Sequence, residues 1–189
     1  MRDIHPEYNV GVIFCTRPPG NNKTLFSGRL GSVSIEQTAF DGPVLSPKKL
    51  NWRVNEDSFH GGSTGDQALD EDENTMWHTS YGADTPGYPH WLTIEFPKTT
   101  TLTGFRYLPR QSGGVNGTVK DYAVFVSDDG VEWGSPVKTG TFIYGNDYKD
   151  EQIITLDKAV RGRFVRFLCK SEVNGGPWAS AAEFRPFIS

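Results

Sequence analysis

The 189-residue chain is poor in the residues that would make several kinds of protein. It has two cysteines, so it cannot build the disulfide framework of a small secreted scaffold. No apolar run approaches the ~20 residues of a membrane-spanning helix. Lys and Arg number 19 against 23 Asp and Glu, a net charge of −4, and the basic residues form no stripe. That argues against a nucleic-acid binder, which neutralises phosphates with clustered cations, and argues weakly against an anionic membrane surface. There is no Ser in a nucleophile elbow, no His pair spaced for a metal and no Gly-rich phosphate loop. The acidic residues crowd into one loop instead of facing each other across a cleft, as glycoside hydrolysis needs. The composition therefore points away from an enzyme. Helical periodicity, internal repeats and low-complexity tracts are missing too. The N-terminus, MRDIHPEYNV, lacks the charged-then-apolar pattern of a secretory signal. The chain opens in mid-strand, and so is expected to be a piece of a longer, secreted or cell-surface protein.

What is present is punctuation and short strands. Gly (21) and Pro (12) separate clusters rich in Val, Ile, Phe, Tyr and Trp, the pattern of an all-β fold. Strands are expected at Asn51–Val54, Trp91–Phe96, Thr101–Leu108, Tyr122–Ser127, Val137–Ile143, Gln152–Leu156, Arg163–Cys169 and Ala182–Ile188. In Thr101–Leu108 the inward residues are expected to be Leu102, Phe105 and Tyr107. SDDG, at 127–130, reads as a tight turn. About eight strands at this spacing give an antiparallel sandwich or jelly roll. Residues 1–45 hold two further strand-like pieces, either the tail of a preceding domain or a packed hairpin. PVLSPKKL, 43–50, reads as a linker, and 46–189 as the main module. Cys15 and Cys169 each lie in an apolar strand-like run and read as buried thiols, with a disulfide between them as the alternative.

The segment ALDEDENTMWHT, 68–79, is the most unusual in the chain. Asp70, Glu71, Asp72 and Glu73, with Asp66 before them, make a carboxylate-rich turn that suits a hard cation. Asp70, Asp72 and Thr75 are close enough for one turn to wrap one ion, though such a run is also a common solvated turn. Trp77 and His78 at its exit suit an exposed recognition site. His78, Arg110 and Asn116 sit near loop ends and offer directional donors and acceptors for sugar hydroxyls. Singly, Arg110 also reads as half of an ion pair and Asn116 as a turn residue. Tyr81, Tyr88 and Trp178 lie in loops and can stack on a pyranose face, unless Trp178 folds back on the core. Trp52, Trp77, Trp91 and Trp133 belong to the core or its rim.

The order ALDEDENTMWHT, PHWLTIEF, GFRYLPRQ, NGTVKDYAVFVSDDGVEW, GRFVRFLC, WASAAEF resembles the coagulation factor 5/8 type C (discoidin) domain. It is most similar to the bacterial branch of that fold, carbohydrate-binding module family 32, from about Leu50 to Phe187. The resemblance implies a galactose-binding-like jelly roll with a structural calcium and a glycan site on the loops at one end. The implied calcium ligands are Ala68, Asp70, Asp72, Thr75, Ala182 and Glu183. The implied sugar contacts are His78, Tyr81, Arg110, Asn116 and Trp178, with Glu56 as a weaker candidate. A non-catalytic module for terminal galactose-type or N-acetylhexosamine sugars is then expected, linked in its parent chain to a secreted glycosidase such as a hexosaminidase or sialidase. The alternative is an adhesion domain of the discoidin type, binding protein or lipid. His78 is expected to act as a neutral imidazole, so that binding weakens below about pH 6.5. Two departures stand out. Glu71 replaces the usual Gly of an ALDGD pattern, so the turn is not expected to use a glycine-only conformation. The cysteine pair that brackets animal discoidin domains is not at the expected ends.

Overall fold

The structure, a computed structural model, describes residues 51–83 and 85–189. The strand-like pieces before residue 45, the linker at 43–50 and Cys15 lie outside the described residues. Eight strands follow: β1 (Arg53–Glu56), β2 (Trp77–His78), β3 (His90–Leu108), β4 (Asp121–Ser127), β5 (Lys138–Thr141), β6 (Gln152–Cys169), β7 (Ser180–Ala181) and β8 (Glu183–Ile188). One short 3₁₀ turn, Gly65–Leu69, precedes β2.

Two long antiparallel strands organise everything else. β3 and β6 pair from His90↔Cys169 to Tyr107↔Gln152. The first half of β3 lies between β1 and the end of β6, and β4 and β5 continue that layer. The second half of β3 lies between the start of β6 and β8. Register shifts between Glu95 and Thr100, and between Leu102 and Gly104, carry the pair from one layer to the other. The layers close on an aromatic core: Phe167 of β6 stacks on Phe184 of β8 at 4.3 Å, and Phe184 on Phe105 at 5.4 Å.

The sequence splits each long strand in two, and the structure joins them. Pro97–Thr99 and Asp157–Ala159 are polar or small and exposed, so they carry no inward pattern. They mark the bends. The inward set Leu102, Phe105 and Tyr107 is fully buried. Its change of parity is absorbed at Gly104, where a Cβ would stand 2.5 Å from the Ile154 carbonyl oxygen. The strand expected at Val137–Ile143 shortens to β5. The SDDG segment turns on Asp129, whose Oδ1 accepts from the Val131 and Glu132 amides. The β4–β5 connection nevertheless runs on to residue 137 and is no tight hairpin.

Trp77 is fully buried, and Trp52 meets Phe96 edge-on at the rim. The Arg166 guanidinium lies over Trp91 and over Trp133, 4.7 and 4.1 Å from the ring centres. Cys169 is a buried free thiol.

Candidate functional site

Three loops meet at one end of the sandwich, and Ser180 is their junction. β2 pairs with β7, placing His78 opposite Ser180. Thr118 bridges to Ser180 from the other side, and the Ser180 amide donates to the Gly117 carbonyl at 2.7 Å. Thr79 and Ala179 exchange two bonds, one backbone and one through Thr79 Oγ1, both 3.0 Å. Buried Glu172 staples two of these loops, its carboxylate accepting from the Gly117 amide at 3.0 Å and the Gly176 amide at 2.6 Å.

The result is a cavity of about 330 Å³ lined by Ser63, Met76, His78, Tyr81, Arg110, Asn116 and Trp178. The structure therefore brings together five of the six side chains singled out for sugar contact. It does not bring Glu56, which lines a different cleft with Asp57 and Phe59 and accepts from the Gly65 amide at 3.1 Å. Burial, the largest influence on it, raises its carboxyl above the usual range. Tyr88 is also corrected. It is half-buried against the core, and its hydroxyl donates to the Trp178 carbonyl, so it props the loop from behind.

Each lining group has a defined state. His78 is buried, not exposed as its place at a loop exit suggested. Its Nδ1 faces the Thr79 carbonyl at 2.7 Å and must donate to it, which leaves Nε2 as an acceptor. Burial holds this imidazole below its usual range, and the charge of Arg110 adds to the effect. The loss of binding expected below about pH 6.5 is therefore displaced to more acid pH. Arg110 Nε donates to the Ser112 carbonyl at 2.9 Å and Nη1 to the Asn116 carbonyl at 3.3 Å. Its guanidinium is thereby fixed in direction. Tyr81 is half-exposed and stacks on His60 at 3.3 Å, a neighbour the sequence did not suggest. Ser63 and Met76 were missed as well. Ser63 is set by its carbonyl, which accepts from the His78 amide at 3.1 Å. An acceptor nitrogen, a directed cation, a carboxamide and two aromatic faces converging on one shallow space are a set for a polyol ligand.

The acidic loop forms a second group. Thr75 Oγ1 lies 2.8 Å from Asp70 Oδ2 and 2.9 Å from the Asp72 carbonyl oxygen. The Thr75 hydroxyl thus closes the turn between Asp70 and Asp72. Asp72 Oδ1 accepts from the Asn74 amide and carboxamide, and the Asp72 carbonyl also accepts from the Thr75 amide at 3.1 Å. Glu183 is fully buried, with both oxygens held by Arg185 at 2.7 and 2.6 Å. Burial raises its carboxyl, Arg185 opposes that, and the charge of Asp70 raises it further. Arg185 also reaches towards Glu71, 3.7 Å away. Ala68 lies in the 3₁₀ turn, which packs against β8, and Ala182 immediately precedes that strand. Among the described residues no three His, Cys, Asp or Glu side chains gather closely enough to hold a metal ion. A hard cation at this loop would find two carboxylates, a hydroxyl and backbone carbonyls, and would have to share Glu183 with Arg185. Glu71 takes φ +68°, the left-handed region expected to need its missing glycine.

An eight-stranded β-sandwich with a polar and aromatic cavity on the loops at one end defines a galactose-binding-like module. The sequence profile of the F5/8 type C domain matches residues 53–184, and the chain belongs to that family. Its structure is similar to that of CpGH89CBM32-5 from Clostridium perfringens, determined in complex with GalNAc-β-1,3-galactose (TM-score 0.63, 27% identity, 72% of this chain and 95% of that one). It is likewise similar to CBM32-3 from a family 31 glycoside hydrolase of the same organism (TM-score 0.66, 27% identity, covering 77% and 94%). Among curated proteins it is 37% identical over 161 residues to a galactose oxidase of Gibberella zeae, covering 85% of this chain and 23% of the relative. It is 30% identical over 177 residues to a sialidase of Micromonospora viridifaciens, covering 93% and 25%. The chain thus spans about a quarter of the length of these relatives.

Proposed function

We propose that this chain is a non-catalytic carbohydrate-binding module that takes a terminal galactose-type or N-acetylhexosamine sugar in the His78–Trp178 cavity. In its parent protein it holds a linked carbohydrate-active enzyme on glycans. The observation that carries this is the convergence of His78, Tyr81, Arg110, Asn116 and Trp178, supplied by three loops, around one open space of about 330 Å³. The complex of the similar Clostridium perfringens module with GalNAc-β-1,3-galactose supports the sugar class. The relatives include an oxidase as well as a sialidase, so the linked activity need not be a glycosidase. A monosaccharide has about a dozen non-hydrogen atoms; at ~0.3 kcal/mol each, its affinity falls in the millimolar range.

A glycan-array screen of the chain beside Arg110→Ala tests this. Hits sharing one terminal sugar, lost in the variant, are expected. A blank array from a folded protein would overturn the proposal and favour the protein- or lipid-adhesion alternative.

We propose further that a structural calcium joins the Asp70–Thr75 loop to Ala182 and Glu183. Chelation is then expected to lower the melting temperature by on the order of 5–10 °C from its value in saturating calcium, because an ion that binds only the folded state stabilises it. Arg185 keeps Glu183 partnered after the ion leaves, so the fold itself should survive. A melting temperature indifferent to calcium and chelator alike would remove the ion from the account.

A further inference from the structure

His90 opens β3 and is completely buried. Its Nδ1 lies 2.7 Å from Asp57 Oδ2, and its Nε2 lies 2.7 Å from the Pro177 carbonyl oxygen. A carbonyl oxygen only accepts. Asp57 also accepts from the Trp91 amide at 2.8 Å and from the Ser58 hydroxyl at 3.3 Å, so its carboxylate is surrounded by donors. Both ring nitrogens must therefore donate, and only the imidazolium has two N–H groups. A neutral ring would set a nitrogen lone pair against an oxygen at 2.7 Å. Pro177 immediately precedes Trp178, and Tyr88, packed against the His90 ring at 4.8 Å, bonds the Trp178 carbonyl. The strand head thus grips the loop that carries the stacking aromatic.

We propose that His90, as an imidazolium shared between Asp57 and the Pro177 carbonyl, is the positioning residue of the Trp178 loop, and that losing its proton loosens this loop at the ligand cavity. The effect on sugar rests on the function proposed above; the grip on Trp178 does not.

The groups facing His90 are Asp57 from the β1–β2 connection, the Tyr88 phenol, and the Cys169 thiol, its register partner on β6. Burial pushes both the phenol and the thiol upward, so neither carries charge near neutrality. Burial alone would lower the imidazolium, but the bonds to Asp57 and Pro177 and the Asp57 charge outweigh it and raise it above the usual range. With the folded value raised, the grip is complete below the unfolded value of about 6.5 and is lost as pH rises through the folded one. His78 behaves oppositely. Its value is lowered, so its acceptor nitrogen is lost only at acid pH. Binding is then bell-shaped in pH, with His78 on the acid limb and His90 on the alkaline limb.

The test is imidazole and indole NMR of ¹⁵N-labelled protein, with galactose titrations from about pH 6 to about pH 9.5. At neutral pH, His90 is expected to show two slowly exchanging ring protons. As one is lost on raising the pH, the Trp178 indole signal should shift in step and galactose affinity should fall about tenfold, the worth of one charged hydrogen bond. Asp57→Asn distinguishes positioning from mere structure. An Asn amide donates to Nδ1 of a neutral ring, which then still donates to Pro177, so binding should persist and the alkaline limb should vanish. A single ring proton at neutral pH, a Trp178 signal that ignores His90, or an unchanged alkaline limb in Asp57→Asn would each overturn the proposal. If galactose fails to bind at any pH while Trp178 still follows His90, the positioning role stands and the sugar assignment falls.

Discussion

Trp178→Ala is expected to reduce galactose binding below detection by titration calorimetry while leaving the unfolding transition nearly in place. The indole supplies one of the two aromatic faces of the cavity, the other being Tyr81. A shallow monosaccharide site has few other contacts to fall back on. Loss of one stacking face is worth on the order of 1–2 kcal/mol, tenfold or more on an affinity that is already weak. Stability should change little for two reasons. The ring is only half-buried. Its Nε1–H is a buried donor without a partner among the described residues, so truncation also removes an unsatisfied group. Unchanged affinity would take Trp178 out of the site, and gross unfolding would make it a core residue.

Gly117→Ala should have the largest effect on stability, roughly 3 kcal/mol by urea unfolding, and should weaken sugar binding as well. Gly117 has φ +81°, and a Cβ there would lie 2.8 Å from the Ala179 carbonyl carbon and 2.9 Å from the Ser180 nitrogen. Those neighbours are backbone and cannot swing aside. The clash would push apart the Gly117–Ser180 bond and the Asn116 carbonyl that receives Arg110 Nη1. Gly175→Ala is the control. Its φ is +75° but nothing lies within 4 Å of the added carbon, so it should cost only about 1 kcal/mol. Equal costs for the two substitutions would show that conformation alone, without the loop contact, accounts for the loss.

Much of the sandwich was legible because strand signals are local. The alternation in WLTIEF places Leu92, Ile94 and Phe96 on one buried side regardless of what covers them, whereas RFVRFLC carries bulk on both faces and only the fold selects Val165, Phe167 and Cys169 as its buried set. The continuity of β3 and β6 was not legible. Strands bend between layers at residues with no inward partner, and the sequence marks such residues no differently from a loop. Glu71 misled for a related reason. A non-glycine in the left-handed region costs only about 1–2 kcal/mol, and the surrounding loop imposes it.

The site divides along the same line. Residue type and nearby turn signals determined which side chains have suitable chemistry: His78, Tyr81, Arg110, Asn116 and Trp178, and the oxygens from Asp70 to Thr75. Those properties belong to a residue and its immediate neighbours. Only the tertiary structure decided that the five share one cavity, that Glu56 is elsewhere, and that Tyr88 props rather than stacks. It alone revealed Glu172 and His90 as the groups that hold the loops. Their partners are 55 and 87 residues away, Gly117 for one and Pro177 for the other. A buried polar side chain is recruited by whichever backbone group lacks a partner, and that vacancy exists only once the chain has closed.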